Sequence, residues 1–410
     1  MARMVKTMKI EERDFVPVLL GNDINTYSMA RAFYEEYKVK SIVVGKSNVG
    51  PSCNSSIIEF HADKNLDKRD VFVRTVNSLA ARLAPKKILI LGCGDNYVES
   101  IIKYRDVLSG NVVVPYIEES LMEKLLTKEK FYEMCDVHKI DYPKTFICTK
   151  DTKDNIALSF DFPVILKPSN SVEYWENEFE GQKKVYRIKS AEELQQVVNE
   201  IYGAGYSDKL IIQDFVPGED SRLRVMICFS GKDKKVQLMS MAHVMIEEHT
   251  PHGLGNTGML INEYNEELSM KIKNFLEDVG YVGFSTFDIK YDQRDGQYKI
   301  LEVNLRQGRS NYYVTGAGYN LAKYVAEEYI YNKGIEFEIV KNVNLWTVIP
   351  LQIGFKYIKD QECLAKMKQL IKDKKVINPL FLKGDHKLKR LIYLIRSHFS
   401  HYVKYKKYYK

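Results

Sequence analysis

A strand-like segment in the second half of the chain, Tyr298–Arg306, has the residues needed to bind a metal ion. Its apolar residues alternate with Glu302 and Asn304, a two-residue period that predicts a β-strand with one buried face. Glu302 and Asn304 then share the other face. A carboxylate and an amide oxygen are the ligands that hard cations such as Mg²⁺ prefer, so this face is a candidate magnesium site.

A second predicted strand, Phe284–Tyr291, would bring Asp288 to the same place. The intervening Asp292–Gly296 is rich in turn residues and predicts a β-hairpin. If its last three residues form the loop, with the glycine in the left-handed conformation, Asp288 lies opposite Glu302. Two facing carboxylates repel each other unless a cation lies between them. The alternative is that these polar residues form only the solvated face of an exposed strand.

Length and composition indicate a globular protein. The chain has 410 residues, of which 45% are hydrophobic and 28% charged, enough for two or three domains. It has no apolar run of about 18 residues that could span a bilayer and no hydrophobic segment near Met1 that would indicate a signal peptide. The six cysteines show no C-x-x-C spacing, which is typical of reduced cysteines in a cytoplasmic protein.

The positive charge is concentrated at the carboxyl end. Residues 383–410 contain nine lysines or arginines and one aspartate, a net charge of +8, so the rest of the chain carries −1 of the total +7. A nearly neutral body does not favour nucleic-acid binding. Apolar residues at helical spacing in Leu388–Phe399 predict a basic C-terminal helix, either docked on the body or in weak contact with a membrane surface.

The first 125 residues predict an open parallel sheet. Short apolar strands at Phe15–Leu20, Ser41–Gly45 and Lys87–Gly92 alternate with helical segments. The turn after the first strand is not a G-x-G-x-x-G motif, which argues against a dinucleotide site. Such a sheet could instead hold a substrate at the carboxyl ends of its strands.

The next segment predicts a site for an anion. The apolar strand Phe162–Pro168 contains Lys167 near its end, and burying a lysine is costly unless an anion meets it. A polar, irregular stretch at 169–181 follows and predicts a flexible flap. A further strand, Lys209–Gly218, runs into a Pro-Gly turn.

Taken in order, these elements resemble the ATP-grasp superfamily over about half the chain, from Lys128 to Asn311. Three segments narrow the resemblance to the D-aspartate ligase branch: KPSNSVEYW from Lys167, IIQDFVPGED from Ile211 and EVNLRQGRS from Glu302. The resemblance implies an α/β chain, α+β in its catalytic part, with an ATP-grasp fold preceded by an open parallel-sheet domain. The implied domains are residues 1–126, 127–335 (a lid part to about 208, then a metal-binding part) and an extension at 336–410.

The resemblance also implies an activity. Enzymes of this branch join the side-chain carboxylate of D-aspartate to the lysine amine of a peptidoglycan precursor, forming ADP through an acyl phosphate. The implied cofactors are ATP and two Mg²⁺ ions, with Mn²⁺ as an alternative. Other amino acids as substrates, giving a dipeptide or small metabolite, and a nucleotide-binding regulator without ligase activity are the competing hypotheses.

Each candidate residue receives a role from the same resemblance. The metal ligands are Asp288, Glu302 and Asn304, and the catalytic residues are Lys167, Arg306 and Arg309. The ATP-binding residues are Lys128, Lys167 and Lys184 for the phosphates, the backbone of Gln213, Asp214, Phe215 and Val216 for adenine, and Asp220 for the ribose hydroxyls. Lys183 is an alternative to Lys184. Arg222 and Arg224 are predicted to alternate on one strand, and either could bind the carboxylate of the amino-acid substrate.

Overall fold

The structure is a computed structural model that describes residues 10–250, 253, 255–385 and 387–409. The chain forms two compact units. Unit 1 contains residues up to 122, 219–288 and 302–410, and unit 2 contains residues 123–218 and 289–301. The sequence of unit 2 is therefore inserted twice into that of unit 1.

The first part of unit 1 is the predicted parallel sheet. Its strands are β1 (Phe15–Leu20), β2 (Ser41–Gly45), β3 (Ile58–Ala62), β4 (Lys87–Gly92) and β5 (Val112–Val113). Its helices are α1 (Ile24–Tyr37), α2 (Arg69–Leu83) and α3 (Asp95–Lys103).

The five strands are parallel and lie in the order β3-β2-β1-β4-β5. Because the chain moves outward from β1 in one direction and from β4 in the other, the two central strands meet at a topological switch point. Asp23 caps α1 just beyond β1 by accepting a hydrogen bond from Thr26 N at 3.1 Å. The segment after β4 lies at the same edge of the sheet.

Unit 2 is built on a four-stranded sheet. The chain enters it through α4 (Glu119–Leu126). Its other elements are α5 (Lys128–Val137), β6 (Thr145–Cys148), β7 (Val164–Pro168), α6 (Ser171–Glu176), β8 (Tyr186–Ile188), α7 (Ala191–Gly203) and β9 (Leu210–Asp214). The strand order is β6-β9-β7-β8, and a buried cluster that includes Val164, Leu166 and Val198 forms the core.

The second part of unit 1 supplies most of a larger sheet. Its strands are β10 (Leu223–Ser230), β11 (Val236–Glu248), β12 (Asn256–Glu263), β13 (Gly283–Asp292), β14 (Gln297–Asn304), β15 (Glu338–Ile339), β16 (Leu345–Thr347) and β17 (Val376–Ile377). They lie in the order β14-β13-β10-β11-β12-β16-β17, and β15 pairs with β11. The ends of β13 and β14 that are joined by the turn belong to unit 2.

Six helices complete unit 1. They are α8 (Glu266–Asp278), α9 (Tyr312–Gly316), α10 (Leu321–Tyr329), α11 (Leu351–Tyr357), α12 (Gln361–Lys372) and α13 (Leu388–Tyr408). Asn265 caps α8 and Asp360 caps α12 through side-chain hydrogen bonds to backbone N–H groups.

Two local predictions need correction. The segment 169–181 is not irregular throughout, because α6 forms within it and Asn170 caps that helix by accepting from Glu173 N at 3.2 Å. The hairpin turn comprises residues 293–296, one more than predicted, since β13 ends at Asp292 and β14 begins at Gln297. Gly296 does have the predicted positive φ, +73°, and donates to Asp292 O at 2.9 Å.

Candidate active site

Asp288, Glu302 and Asn304 converge at one end of the β13–β14 hairpin, within unit 1. Asn304 Nδ2 donates a hydrogen bond to Asp288 Oδ2 at 3.0 Å, and the carboxyl groups of Asp288 and Glu302 lie within hydrogen-bonding reach of each other. Burial and the nearby Glu302 charge raise the pKa of Asp288 well above its usual range. Two adjacent carboxylates are therefore held together, and the Asn304 hydrogen bond and the Arg306 charge offset only part of their repulsion.

This donor set fits a hard divalent cation. Among the described residues there is no group of three or more His, Cys, Asp or Glu arranged to hold a metal, so the ligands here would be two carboxylates and one amide oxygen. Mg²⁺ is bound in nucleotide enzymes by one or two carboxylates, with phosphates and waters completing the octahedron. To bind the ion, the Asn304 amide would turn its oxygen toward it and give up its hydrogen bond to Asp288.

The strand that carries Glu302 is covered on both faces, whereas its sequence predicted one buried face. Ile300 and Val303 are three residues apart and so point to opposite faces, and both are buried. Ile300 N donates to Asp141 O at 2.8 Å within unit 2.

Arg306 ends in an ion pair that the sequence did not predict. Its Nε and Nη2 contact the two carboxylate oxygens of Asp95 at 2.7 and 3.1 Å, and its carbonyl oxygen accepts a hydrogen bond from Thr286 Oγ1 at 2.7 Å. Asp95 is the first residue of α3, just beyond β4. A sequence signal for Asp95 existed, because Gly94 and Asp95 follow a buried strand, but nothing in the spacing linked them to Arg306.

The residues after Arg306 continue along the switch point of the parallel sheet. Gln307 Nε2 donates to Gly92 O at 3.2 Å, and Asn25 Nδ2 donates to Gln307 O at 3.0 Å. Asn311 Nδ2 donates to Asn25 Oδ1 at 2.8 Å. These hydrogen bonds hold the segment that follows β14 at the edge of the parallel sheet, where such sheets usually bind ligands.

Arg309 has structural partners. Its Nη1 donates to Thr257 O at 3.0 Å, and its Nη2 pairs with the buried Glu248 at 3.1 Å. Both guanidinium contacts are made to β11 and β12. The structure therefore shows Arg309 joining the segment after β14 to this part of the sheet, and a catalytic role for it stays a prediction.

Asp220, predicted to bind ribose, is held by its own unit. Its Oδ2 accepts from Glu247 N at 2.9 Å and lies 2.9 Å from His249 Nε2. The hydrogen bond to Asp220 raises the pKa of His249. A ribose hydroxyl would have to share this carboxylate with His249.

Arg222 and Arg224 do not alternate on one strand as predicted, because Arg222 lies in a short 3-10 turn before β10. Arg224 is buried, is paired with Glu263 and donates to the carbonyls of Ser221 and Leu223 at 3.0 and 2.9 Å.

Strand alternation gives the direction of the Arg224 side chain. Cys228 and Ser285 side chains are in contact, and alternation then directs Arg224 to the face of the sheet opposite Asp288. A cavity of about 360 Å³ on that opposite face is lined by His243, Glu263 and Lys366. The geometry thus separates Arg224 from the candidate metal ligands.

The predicted phosphate-binding lysines belong to unit 2. Lys128 is the first residue of α5, and its Nζ donates to Leu301 O at 3.1 Å. Lys167 lies on β7 opposite Ile211 of β9 and is partly buried, as its place in an apolar strand suggested. Lys183 and Lys184 are exposed in the segment before β8.

The predicted adenine-binding segment is only partly available. Gln213 lies on the central strand β9, its backbone is flanked by β6 and β7, and its side chain donates to Tyr132 OH at 2.7 Å. Asp214 is paired with Arg294 at 2.6 Å. The backbone of Gln213 is therefore occupied by the sheet, which corrects its predicted role.

Phe215 and Val216 remain as the adenine-binding candidates. The chain leaves the sheet after Asp214, so both residues follow the strand in an irregular segment. The guanidinium of Arg187 lies 4.2 Å from the centre of the Phe215 ring, and Val216 is buried.

Comparison with known proteins agrees with this architecture. No family model matches the chain, but it is 38% identical over 413 residues to the D-aspartate ligase of Enterococcus faecium (strain Aus0004), covering 98% of both chains. An identity of this size over nearly the whole length shows a shared family.

Solved structures show the same fold at low identity. An L-amino acid ligase from Bacillus licheniformis matches with a TM-score of 0.55 and 15% identity, over 77% of this chain and 74% of the other. N5-carboxyaminoimidazole synthetase from Staphylococcus aureus in complex with ADP matches with a TM-score of 0.58 and 14% identity, over 83% and 84%. The ATP-grasp fold predicted from the sequence is confirmed.

Membership of a ligase family argues against the regulator hypothesis. The chain belongs to the D-aspartate ligase family and is an ATP-dependent carboxylate–amine ligase with the ATP-grasp fold.

Proposed function

We propose that this enzyme joins the side-chain carboxylate of D-aspartate to the lysine amine of a peptidoglycan precursor, with ADP and phosphate as products. The observation that carries the proposal is the 38% identity to a D-aspartate ligase over 98% of both chains. The convergence of Asp288, Glu302 and Asn304 supports the phosphoryl-transfer part of it. Because ATP and peptidoglycan precursors are made in the cytoplasm, we infer that the enzyme acts there.

The reaction needs activation of the carboxylate. A carboxylate oxygen is a poor leaving group, and transfer of the γ-phosphoryl group converts it into an acyl phosphate that an amine can attack. The amine then forms the C–N bond, the C–O bond to phosphate breaks, and the amine proton leaves to a nearby carboxylate or phosphate oxygen. The phosphate leaves with the electron pair of the broken C–O bond.

The chain's contribution is to position charge. Asp288, Glu302 and Asn304 would hold Mg²⁺, which when bound neutralises charge on the phosphoryl oxygens. Lys128 and Lys167 would hold the α- and β-phosphates, with Lys184 closing over them. Arg306 has the planar fork that matches a phosphoryl group, and Asp95 holds it by two contacts at 2.7 and 3.1 Å.

The amine must also lose a proton. A free lysine amine has a pKa of about 10.4, so presenting its lone pair near pH 7 costs roughly 4.6 kcal/mol. A carboxylate or phosphate oxygen beside the amine would act as the general base that takes this proton as the C–N bond forms.

An ADP-release screen tests the proposal. Purified enzyme is supplied with ATP, Mg²⁺ and single D- or L-amino acids, with and without a lysine-containing muropeptide, and Glu302→Gln serves as the inactive control. We expect ADP release to be greatest with D-aspartate and the muropeptide, with amide product formed in equal amount. Equal turnover with free amino acids as acceptors would instead support dipeptide or small-metabolite synthesis.

A further inference from the structure

The C-terminal helix α13 is fixed to unit 1 along one face. Arg390 is 1% exposed, lies 3.8 Å from the centre of the Tyr27 ring and is paired with the buried Asp385 at 3.0 Å. Leu394 and Tyr405 are buried further along the same face. Polar and apolar residues therefore both anchor this face of α13 to the body of unit 1. The opposite face of the helix points away from the body.

That opposite face is apolar and exposed. Six large apolar residues, here called the α13 stripe, lie on it: Leu388, Ile392, Ile395, Phe399, Tyr402 and Val403. Leu388, Phe399 and Val403 are 72%, 62% and 69% exposed. At about 100° per residue, the six positions fall within roughly 100° of the helix circumference and form one continuous band.

Cations border the α13 stripe. Lys389, Arg396 and Lys407 lie along one side of it, and all three are exposed. Leu388–Tyr408 contains no aspartate or glutamate, and residues 383–410 carry a net charge of +8 while the rest of the chain carries −1. The band is thus an exposed apolar surface bordered by exposed cations.

We propose that the α13 stripe docks on an anionic lipid surface, with α13 lying in the plane of the membrane. A helix with an apolar face bordered by lysine and arginine is the form that enters the boundary between headgroups and acyl chains. Within the described chain, no helix is long and apolar enough to cross a membrane, so α13 would lie on the surface. A second copy of the chain fits less well, because two segments of charge +8 would repel each other.

Vesicle flotation tests the proposal directly. The full-length enzyme is floated with vesicles of phosphatidylcholine alone and with vesicles containing phosphatidylglycerol, at low and high salt. We expect binding to the anionic vesicles that falls as salt rises, and little binding to the neutral ones. Absence of binding to anionic vesicles at low salt, or equal binding to both kinds, overturns the proposal.

Matched variants separate the two contributions. Lys389→Gln with Arg396→Gln should lower the affinity for anionic vesicles roughly 25-fold, since each cation near such a surface contributes about fivefold. Ile395→Ser with Phe399→Ser should lower it at least as much. The control Val49→Ser removes an apolar residue that is 72% exposed elsewhere, and it should bind as the unmodified enzyme does.

Two further measurements distinguish lipid docking from a loss of activity and from self-association. Turnover with soluble substrates should be unchanged in all stripe variants, because no stripe residue belongs to the candidate active site. Light scattering of the unmodified enzyme should show no concentration-dependent association. An oligomer that dissociates in Phe399→Ser would identify the α13 stripe as a self-association surface and contradict lipid docking.

Discussion

Asn304 donates a hydrogen bond to Asp288 at 3.0 Å. The two residues lie on β14 and β13, at the end of the hairpin that is away from its turn. This contact fixes the relative position of β13 and β14 where Glu302 also lies beside Asp288. The hairpin thus brings together the two carboxylates that would share a metal ion, and Asn304 would exchange this hydrogen bond for the ion. Preorganisation of this kind lowers the cost of binding the ion and the phosphates that accompany it.

Glu302→Gln should abolish turnover while leaving the fold intact. The substitution removes one negative charge from the candidate metal site with almost no change in volume, so metal binding weakens but packing does not change. Turnover should fall by at least about 100-fold, the scale seen when a group that stabilises phosphoryl charge is removed. Circular dichroism and the melting temperature should stay near those of the unmodified enzyme, and near-normal turnover would remove Glu302 from the site.

Lys167→Ala should weaken ATP binding by about 2 kcal/mol, which is roughly 30-fold in Kd. The lysine is partly buried on β7, and we expect a phosphate to be its partner in the complex. Equilibrium binding of ATP measures the effect. Lys189→Ala, which removes an exposed lysine from the same unit, is the matched control and should leave Kd unchanged.

Asp385→Asn should destabilise the protein by about 3 to 5 kcal/mol, because it leaves the buried Arg390 without its opposite charge. Asp385 also accepts hydrogen bonds from Tyr27 OH at 2.8 Å and Ser56 N at 2.6 Å. Denaturant unfolding gives the free energy. Asp373→Asn, at an exposed position, should have little effect, and an equal loss in both variants would contradict a special role for the buried pair.

The buried His401 should make the protein less stable in acid. Burial lowers the pKa of His401 to about 4, below the value of about 6.5 in the unfolded chain. Between these values the unfolded chain binds the proton and the folded chain does not, so the free energy of unfolding falls as pH drops from about 6.5 to 4. His401→Gln should flatten this part of the pH profile, whereas the exposed His61→Gln should not.

Short-range pattern predicted the fold well. The parallel strands, the hairpin and the left-handed Gly296 all follow from alternation and turn chemistry that act within a few residues. The α6 helix was missed because Asn170 supplies a cap within a sequence rich in polar residues. The additional turn residue was missed because a loop of three and a loop of four have nearly the same composition.

Long-range pairing could not be predicted in the same way. Arg306 and Asp95 are 211 positions apart in the sequence, and Arg309 and Glu248 are 61 positions apart. The local sequence does not distinguish an arginine that binds a phosphate group from an arginine that pairs with a carboxylate. For α13, helical spacing showed an apolar face, but the structure was needed to show that Arg390 and Leu394 face the body while Phe399 does not.

Transfer of oxygen from D-aspartate to phosphate tests the central claim most directly. The enzyme is supplied with D-aspartate carrying ¹⁸O in its side-chain carboxylate, together with ATP, Mg²⁺ and a lysine-containing muropeptide, and the released phosphate is analysed by mass spectrometry. An acyl phosphate predicts one ¹⁸O atom in each phosphate, with ADP formed in equal amount. Amide formation with unlabelled phosphate, or with label in AMP and release of pyrophosphate, would contradict the mechanism.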